Sequence, residues 1–534
     1  SVLMKYILMC LCISFSLFTQ EKVIELPLQN SAFVTMKVMF RIGSINDPKG
    51  KEGLTYLVSQ MLADGASKPY SLKQKEDLLF PMGATFTVSV DKEAVVFTGE
   101  VHKDHLKSFY SLFSASLLKN IFSEADFNRL KDQQKNVVTT DMIYTDDERL
   151  SKRVLEQELF KGHPYAHLVE GTESGVSSIT RKDVLDHYTH YFTKNNLILG
   201  IAGGYTSAFK DAFVADFAKL PEGKNGLIEL PKPEMPSGVE TTIVAKENTF
   251  GSAIFMGFPY ELTRSSNDFA AMMVMNSWFG EHRKAYSYLY QRMREDRSLN
   301  YGDYSYLEWY PNGGRVQLPL TGTPRRSNYF SIWIRPVQIA KQLAHIKGVM
   351  GQNGEFIPKT EKNKLDKKRL KSPELGQAHF VIRQALYELD KLVFEGLSEE
   401  EFALTRDFVR GYIKQYIRTQ ELRLGYLMDS YCYGREDFIT EMDKALATLT
   451  LNDVNTAIKK YLSAKNMYVA VITDTDEAKT LETHIKKNKR SPIIYKPSVY
   501  VGLSQKLLNE DIEILRYTYK KGEVKQIDSK TLFK

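Results

Sequence analysis

An internal repeat constrains the fold of this chain more than any other feature of its sequence. The segment 179–204 matches the segment 449–474 at a constant spacing of 270 residues. The identical pairs are Thr180/Thr450, Asp183/Asp453, Val184/Val454, Tyr191/Tyr461 and Asn196/Asn466. In each copy a threonine followed three residues later by an aspartate predicts the start of a helix, and the apolar stretch after the helix predicts a strand. Two similar α+β units are therefore predicted, with chance agreement between two common helix-and-strand sequences as the alternative.

The two units divide a chain that is too long for one hydrophobic core. Its 534 residues, 43% of them apolar, supply enough side chains for two packed domains. Residues 220–238 are rich in proline and glycine and predict a linker between the domains. We expect an α+β fold of two similar tandem domains, each a mainly antiparallel sheet with helices packed on one face. The expected divisions are an export signal at 1–20, an N-terminal domain at 21–222, a linker at 223–238, a C-terminal domain at 239–485 and a tail at 486–534. The tail embraces either the two domains or a partner.

The first residues are typical of an export signal. Met4 and Lys5 precede the apolar stretch from Tyr6 to Phe18, which is too short to span a bilayer. A buried first helix is the alternative, but the abrupt change to polar sequence at Gln20 favours cleavage. No later apolar run reaches membrane-spanning length, so we expect a soluble protein without a transmembrane segment, periplasmic or extracellular. The formal charge of +7 is spread along the chain, which argues against nucleic acid as a partner.

The segment 51–63 is predicted to form an amphipathic helix. Its apolar residues recur at helical spacing and are Leu54, Leu57, Val58, Met61 and Leu62. The neighbouring face carries Tyr56, Ser59 and Gln60. Taken alone, these three residues make an ordinary polar helix face.

This helix and the turn before it, RIGSINDPKGKEGLTYLVSQMLADGA at residues 41–66, resemble the pitrilysin/insulinase family of inverted-motif zinc peptidases. The resemblance implies a helix of the form GLxHxxEHM, in which two histidines bind zinc and the glutamate is the general base. Here Tyr56 and Gln60 stand at the histidine positions, Ser59 stands at the glutamate position, and Asp141 best matches the third ligand. A phenol with a pKa of about 10, an amide and a hydroxyl without a base make a poor zinc site. We therefore expect no intact catalytic residue and no metal ligand in this chain.

The same resemblance implies residues that bind a peptide. The segment 288–306 resembles the family's LxxxLRExxGLxY segment, and its Arg294 and Tyr301 match the residues that hold the substrate backbone. Residues 84–101 alternate around a central Asp-Lys turn and predict a hairpin. In the family an edge strand here adds the extended substrate as a further strand. The candidate edge residues are Thr85, Phe86 and Thr87, with an ordinary surface hairpin as the alternative.

The resemblance further implies a partner. Several members of this family work as pairs in which one chain carries the zinc and a sister chain supplies the arginine and tyrosine. This chain matches the second kind, so we expect a catalytically inactive, substrate-binding subunit of a heterodimeric zinc metallopeptidase that acts on peptides. It would form half of a clam-shell chamber with a zinc-bearing sister subunit. The zinc cofactor is then expected in that partner and not in this chain.

Two other interpretations stay open. The chain is either a self-sufficient metallopeptidase with an atypical site, or a peptide-binding scaffold that has lost proteolysis. An atypical site would use one of the closely spaced histidine pairs His102/His105, His163/His167 and His187/His190. The basic stretch 351–376 within the second unit predicts a solvated loop rather than a recognition arm.

Overall fold

The chain forms two β-sheets with helices around them. The computed structural model describes residues 22–282, 287–311, 318–345, 373–491 and 493–534. The expected export signal at 1–20 and most of the basic stretch 351–376 lie outside these ranges.

The first sheet is built from residues of the N-terminal half. Its strands are β1 (Lys22–Pro27), β2 (Phe33–Phe40), β3 (Thr85–Val90), β4 (Val95–His102) and β5 (Leu197–Gly203). They lie in the order β1-β5-β2-β4-β3, and β1 is parallel to β5 while the other neighbours are antiparallel. The helices of this half are α1 (Leu54–Asp64), α2 (Leu72–Met82), α3 (Leu106–Leu118), α4 (Glu124–Asn136), α5 (Met142–Tyr144), α6 (Asp147–Leu159), α7 (Glu173–Ser178), α8 (Arg181–Tyr191) and α9 (Ser207–Phe217).

The second sheet repeats the first and adds one strand. Its strands are β6 (Val239–Ala245), β7 (Ser252–Tyr260), β8 (Asp303–Tyr306), β9 (Asn328–Val337), β10 (Met467–Thr473) and β11 (Lys521–Asp528). The order β6-β10-β7-β9-β8 is that of the first sheet, and β11 extends it beside β6. The helices are α10 (Phe269–Gly280), α11 (Ala340–His345), α12 (Ala378–Glu395), α13 (Glu399–Ile413), α14 (Gln420–Cys432), α15 (Phe438–Thr448), α16 (Leu451–Tyr461), α17 (Thr475–Lys486), α18 (Pro497–Tyr500) and α19 (Gln505–Arg516). The predicted pair of similar, mainly antiparallel domains is confirmed.

The matching sequence segments begin matching helices. Thr180 caps α8 and Thr450 caps α16, and in both the threonine side chain accepts a hydrogen bond from the backbone of the aspartate three residues later. The aspartate side chain accepts from the backbone N–H of the threonine in return. Each helix leads into a buried strand, β5 or β10. The sequence repeat is therefore a structural repeat.

Both faces of each sheet are covered, because the two halves exchange a helix. Helix α6 of the first half packs across β7 and β10 of the second sheet. Helix α14 of the second half packs on β1 and β5 of the first sheet, where Leu424 and Met428 contact Gly200. The prediction of helices on one face of each sheet holds for the helices that pack on their own domain's sheet. It left out the opposite face, because a repeat within a sequence does not show which domain a helix packs against.

The C-terminal tail packs on the chain itself. Strand β11 pairs in parallel with β6, and the carbonyl oxygens of Phe533 and Lys534 accept hydrogen bonds from the backbone of Glu173 and Ser174 at the start of α7. The tail thus contacts both domains. Residues 221–236, in the predicted linker, have no regular secondary structure. Among the described residues, every helix is too short or too polar to cross a membrane.

Candidate functional site

The turn before α1 fixes where that helix begins. The buried carboxylate of Asp47 accepts hydrogen bonds from the backbone N–H groups of Gly53 and Thr55, both at 2.8 Å, and satisfies donors that a helix start leaves free. Gly53 has a φ of 104°, in the left-handed region, so the helix begins at Leu54 and not at the predicted Lys51. His167 Nε2 lies 2.9 Å from the same carboxylate. The Asp-Pro turn is therefore a rigid support for α1.

The three positions of the lost motif lie on α1 as predicted. Tyr56 is half-buried, and burial together with the negative charge of Glu170 raises the pKa of its phenol to about 12. Ser59 is fully buried, and its hydroxyl donates to the carbonyl oxygen of Thr55 at 2.7 Å. Because the Ser59 hydroxyl donates its proton to a backbone carbonyl of its own helix, it does not donate to a side-chain base. Gln60 offers an amide in place of an imidazole.

Asp141 lies in a short π-helical segment, Val137–Asp141, which continues α4. Such segments widen a helix by one residue per turn and often accompany functional sites. This residue set does not fit a zinc ion, because a protonated phenol and an amide are weak donors and a single carboxylate does not hold the metal. We therefore derive no metal-dependent step for this chain.

The histidine pairs are engaged in other contacts. His187 Nε2 lies 2.8 Å from Thr55 Oγ1, and burial lowers the pKa of this imidazole to about 4. The His163 ring makes a tilted contact with Phe160 and an edge-to-face contact with Tyr165, and its partner His167 contacts Asp47. Over the described part of the chain, no three side chains from histidine, cysteine, aspartate and glutamate are grouped closely enough to hold a metal ion.

The predicted hairpin is confirmed, and its first strand is an edge strand. Strands β3 and β4 pair in antiparallel register, and β3 lies at the end of the sheet. Thr85 and Thr87 are exposed and Phe86 is half-buried, so one face of β3 is accessible. A cleft of about 1010 Å³ opens on that face, with Thr87 and Ser89 in its wall and helix α13 opposite. Binding of a peptide by these residues stays a prediction.

The turn of this hairpin is buried between the domains, although its first strand is exposed at alternate residues. Asp91, Lys92 and Glu93 are each at most 3% exposed. Arg325, just before β9, donates two hydrogen bonds to the carboxylate of Asp91 at 2.7 and 2.8 Å, and its neighbour Arg326 donates to Glu93. Sequence reasoning missed these arginines. The sequence held no signal for them, because Asp-Lys-Glu is also typical of a solvent-exposed turn.

Arg294 and Tyr301 each contact one member of a cluster of side chains that includes Tyr290, Tyr304 and Arg335. The guanidinium of Arg294 lies over the ring of Tyr290, which is next to Tyr304, and contacts Glu295 at 2.5 Å. Tyr301 stacks on Arg335 and exposes 74% of its surface. Both side chains are thus accessible to another molecule, and their role in peptide binding stays a prediction.

A buried ionic network holds the segment that carries Arg294. This segment includes the π-helical residues Tyr290–Glu295. Arg292 contacts Glu388 at 2.9 Å and Glu510 at 2.8 Å, and the fully buried Arg297 contacts Asp511 at 2.7 Å. Glu510 and Asp511 belong to α19, so the tail fixes the position of this segment. The pairs Arg292–Glu510 and Arg297–Asp511 join residues more than 200 positions apart, and no local sequence pattern predicts them.

The fold and the site together define a class of protein: a two-domain, peptidase-like chain whose metal-binding positions hold residues unsuited to zinc. Residues 23–173 match the family described as Insulinase (Peptidase family M16), and residues 178–330 match the family described as Peptidase M16 inactive domain. The chain belongs to the insulinase family, peptidase family M16.

Its curated relatives carry names of both active and inactive kinds. The uncharacterized zinc protease YmxG of Bacillus subtilis (strain 168) is 23% identical over 310 residues, 56% of this chain and 72% of that protein. The probable inactive metalloprotease YmfF of the same strain is 27% identical over 166 residues, 31% of this chain and 38% of that protein. The non-peptidase homolog YmxG of Helicobacter pylori (strain ATCC 700392 / 26695) is 24% identical over 268 residues, 49% of this chain and 59% of that protein.

Solved structures share the fold. A peptidase M16 inactive domain from Pseudomonas fluorescens has a TM-score of 0.67 at 17% identity, covering 85% of this chain and 95% of that one. A protease from Helicobacter pylori has a TM-score of 0.66 at 14% identity, covering 84% of this chain and 96% of that one. At these identities the similarity supports the architecture and not an activity.

Proposed function

We propose that this chain is a catalytically inactive, peptide-binding subunit that works with a zinc-bearing sister of the same family. One observation carries the proposal. Tyr301 exposes 74% of its surface and the Arg294 side chain is partly exposed, although helix α1 of this chain has no imidazole with which to bind a metal. A guanidinium and a phenol are strong donors to a peptide carbonyl. Their exposure fits a role at a site that another chain completes.

The names of two relatives support the absence of proteolysis. One is named a probable inactive metalloprotease and the other a non-peptidase homolog. The bonding at the lost motif supports it independently, because the Ser59 hydroxyl donates to a backbone carbonyl and has no base. We also propose that the chain acts outside the cytoplasm, in the periplasm or beyond the cell, on the strength of its first 20 residues.

Peptide binding is supported by the edge of the first sheet. The outer side of β3 presents backbone N–H and C=O groups that can pair with an extended peptide without any particular side chain. The cleft beside it, about 1010 Å³, accommodates a peptide of several residues. Its walls combine sheet residues, such as Thr87 and Thr98, with Tyr412 and Gln415 from the second half of the chain.

A reconstitution experiment tests the proposal. The chain is mixed with a relative from the same genome that carries an intact HxxEH motif, and cleavage of a quenched fluorescent peptide is measured. We expect faster cleavage by the mixture than by the zinc-bearing chain alone, and a loss of about tenfold with Arg294→Ala, because a charge-assisted hydrogen bond to substrate is removed. Arg516→Ala, at an exposed arginine on α19, is the matched control and is expected to change nothing.

The outcomes separate the alternatives. If the mixture is no faster and Arg294→Ala has no effect, the subunit proposal is wrong. Binding of the peptide without any gain in cleavage would then favour a scaffold. Stoichiometric zinc in the purified chain, lost on substitution of one histidine pair, would instead establish a self-sufficient peptidase.

A further inference from the structure

A small cavity at the seam between the domains holds a buried lysine amine that has no hydrogen-bond partner in the part of the chain that the structure describes. We call this cavity the seam pocket. Its volume is about 260 Å³, and it is lined by Ser89 and Val90 at the end of β3, by Arg149, Lys152 and Arg153 on α6, and by Trp309. Lys152 is only 5% exposed, and its Nζ makes no hydrogen bond to the described residues. A buried ammonium group without a partner is costly.

The other charges around the seam pocket are already paired. Five basic and three acidic side chains line it. The acidic residues have their own cations: Asp91 and Glu156 contact Arg325, Glu156 also lies 3.5 Å from Lys92, and Glu170 lies 3.5 Å from Arg153. Arg149 lies 3.5 Å from Asp146. Lys152 is thus the lining cation for which no ion pair is recorded among the described residues.

Aromatic rings surround the Lys152 amine on its other sides. Its Nζ lies 5.2 Å from the ring centroid of Trp309 and 5.7 Å from those of Tyr306 and Phe255. Burial lowers the pKa of Lys152 well below its usual value, despite the opposing charge of Glu156. Ring faces attract a cation weakly and cannot replace a hydrogen-bond acceptor. The pocket therefore contains a buried amine that none of the described residues accepts a hydrogen bond from, with aromatic rings beside it.

The seam pocket adjoins the surface on which we propose that a peptide binds. Ser89 and Leu320 line both this pocket and the large cleft beside β3. An extended peptide that pairs along Thr85 to Ser89 would bring one of its groups to the mouth of the pocket. A cavity of about 260 Å³ has room for a short acidic group.

We propose that the seam pocket is an anion subsite that takes one carboxylate of the bound peptide, with Lys152 as its cation. The inference rests on the proposed peptide-binding function and narrows it to peptides with an acidic group at one position. The carboxylate comes either from the C-terminus or from an aspartate or glutamate side chain. In either case the acidic group lies at the C-terminal end of the peptide, so the peptide runs parallel to β3, which runs from Thr85 toward the pocket.

A binding assay with matched peptides tests the subsite. An N-terminally labelled octapeptide of threonine, serine and valine is made as a C-terminal amide, as a free acid, and as an amide with glutamate at its last position. Fluorescence anisotropy with the full chain is expected to show at least about tenfold tighter binding of one acidic form than of the neutral amide. The free acid and the glutamate amide distinguish the two sources of the carboxylate.

Variants at position 152 separate a binding role from a structural one. Lys152→Met is expected to abolish the preference for the acidic peptide and to leave the affinity for the neutral amide unchanged. Because methionine replaces a buried amine with an apolar group of similar length, we expect this variant to unfold at the wild-type temperature or above. Lys152→Arg is expected to keep the preference, and Lys161→Met, at an exposed lysine just after α6, is the matched control.

The result that would reject the anion subsite differs from the result that would reject peptide binding. Equal binding of all three peptides, or an acid preference that survives Lys152→Met, would leave peptide binding in place and reject the subsite. If none of the three peptides binds, both the subsite and peptide binding by this face are rejected.

Discussion

At the scale of single residues, helix α1 has the hydrogen bonds and core packing that hold it in place but lacks side chains that bind a metal. Asp47 and Thr55 keep the hydrogen bonds that hold the helix in place, and Leu57, Val58 and Met61 remain fully buried. The residues that would bind a metal are replaced, one by one, with side chains that hydrogen bond locally or stay neutral. Such a pattern is expected when a scaffold is still needed after its reaction is lost, because core packing and helix capping contribute to stability regardless of activity.

His187, which supports α1 through Thr55, predicts an acid sensitivity. Burial lowers its pKa to about 4 from an ordinary value of 6.5, so the unfolded chain binds this proton more readily than the folded one. The free energy of unfolding is therefore highest above about pH 6.5 and falls as the pH decreases toward 4. This one group accounts for a loss of up to about 3 kcal/mol. Urea unfolding at a series of pH values measures it.

The control for this prediction keeps the hydrogen bond and removes the titration. His187→Gln offers an amide to Thr55, and its unfolding free energy should depend less on pH between 4 and 6.5 than that of the wild type. His105→Gln, at an exposed position, should follow the wild-type curve. Since the half-buried His484 also has a pKa lowered by burial to about 4, the comparison between variants is decisive and not the slope alone. Parallel curves for His187→Gln and wild type would contradict the prediction.

At the scale of elements, the exchanged helices α6 and α14 explain why the domains cannot be considered separately. Each helix covers one apolar face of the other domain's sheet, the face that the remaining helices of that other domain leave uncovered. Leu424 and Met428 of α14 are fully buried against the first sheet, and Leu150, Val154 and Leu155 of α6 lie in the cluster that covers the second. These contacts link residues far apart in sequence, so they form only when both domains are folded.

Because Met428 of α14 packs against Gly200 of β5, we expect a larger residue at position 200 and a smaller one at position 428 to compensate each other. A methyl group added at Gly200 would lie 2.3 Å from Met428 Sδ, so Gly200→Ala is expected to destabilise the chain by about 1–3 kcal/mol. Met428→Ala is expected to cost about 2–5 kcal/mol by leaving a cavity. The double variant should cost less than the two changes summed, because the new methyl partly fills the cavity. Urea unfolding of the four proteins measures the coupling.

Gly411, which lies on an exposed surface, provides the control for the substitutions at Gly200 and Met428. A methyl group at Gly411 of α13 would meet no atom within 4 Å, so Gly411→Ala is expected to be neutral or to stabilise the helix by up to about 1 kcal/mol. Strict additivity of the Gly200 and Met428 substitutions would show that the two residues do not contact each other in solution.

The elements that the sequence predicted are those specified by local signals. The caps at Thr180 and Thr450, the hairpin of β3 and β4, and the stripe on α1 all depend on residues within a few positions of one another. The exchanged helices and the buried turn depend on partners in the other domain, as when Arg325 meets Asp91 across 234 residues. Hydrophobic periodicity shows that a face is buried and does not show what covers it.

At the scale of the whole molecule, the seam between the domains is a buried ionic network. Arg325 contacts both Asp91 and Glu156, and Tyr329 donates to Glu156 at 3.1 Å. Burial alone would raise the pKa of Glu156, but the charges of Arg325 and Lys92 outweigh it and hold this pKa at about 2. The network fixes the end of β3 against the second domain. It therefore positions the proposed peptide-binding edge and the seam pocket together.

Removal of Arg325 should be among the most destabilising single changes in the chain. Arg325→Met leaves the buried carboxylates of Asp91 and Glu156 without their main cation, and we expect a loss of about 3–5 kcal/mol at pH 7. Arg410→Met removes a half-exposed pair with Asp443 and should cost less than about 1 kcal/mol. Glu156 contributes stability in the wild type above about pH 4.5 and loses it as the pH falls toward 2, so the gap between wild type and Arg325→Met should narrow over that window. Chemical unfolding at pH 7 and at about pH 3 measures both effects. A gap of constant size would mean that Arg325 stabilises the seam by packing and not by its charge.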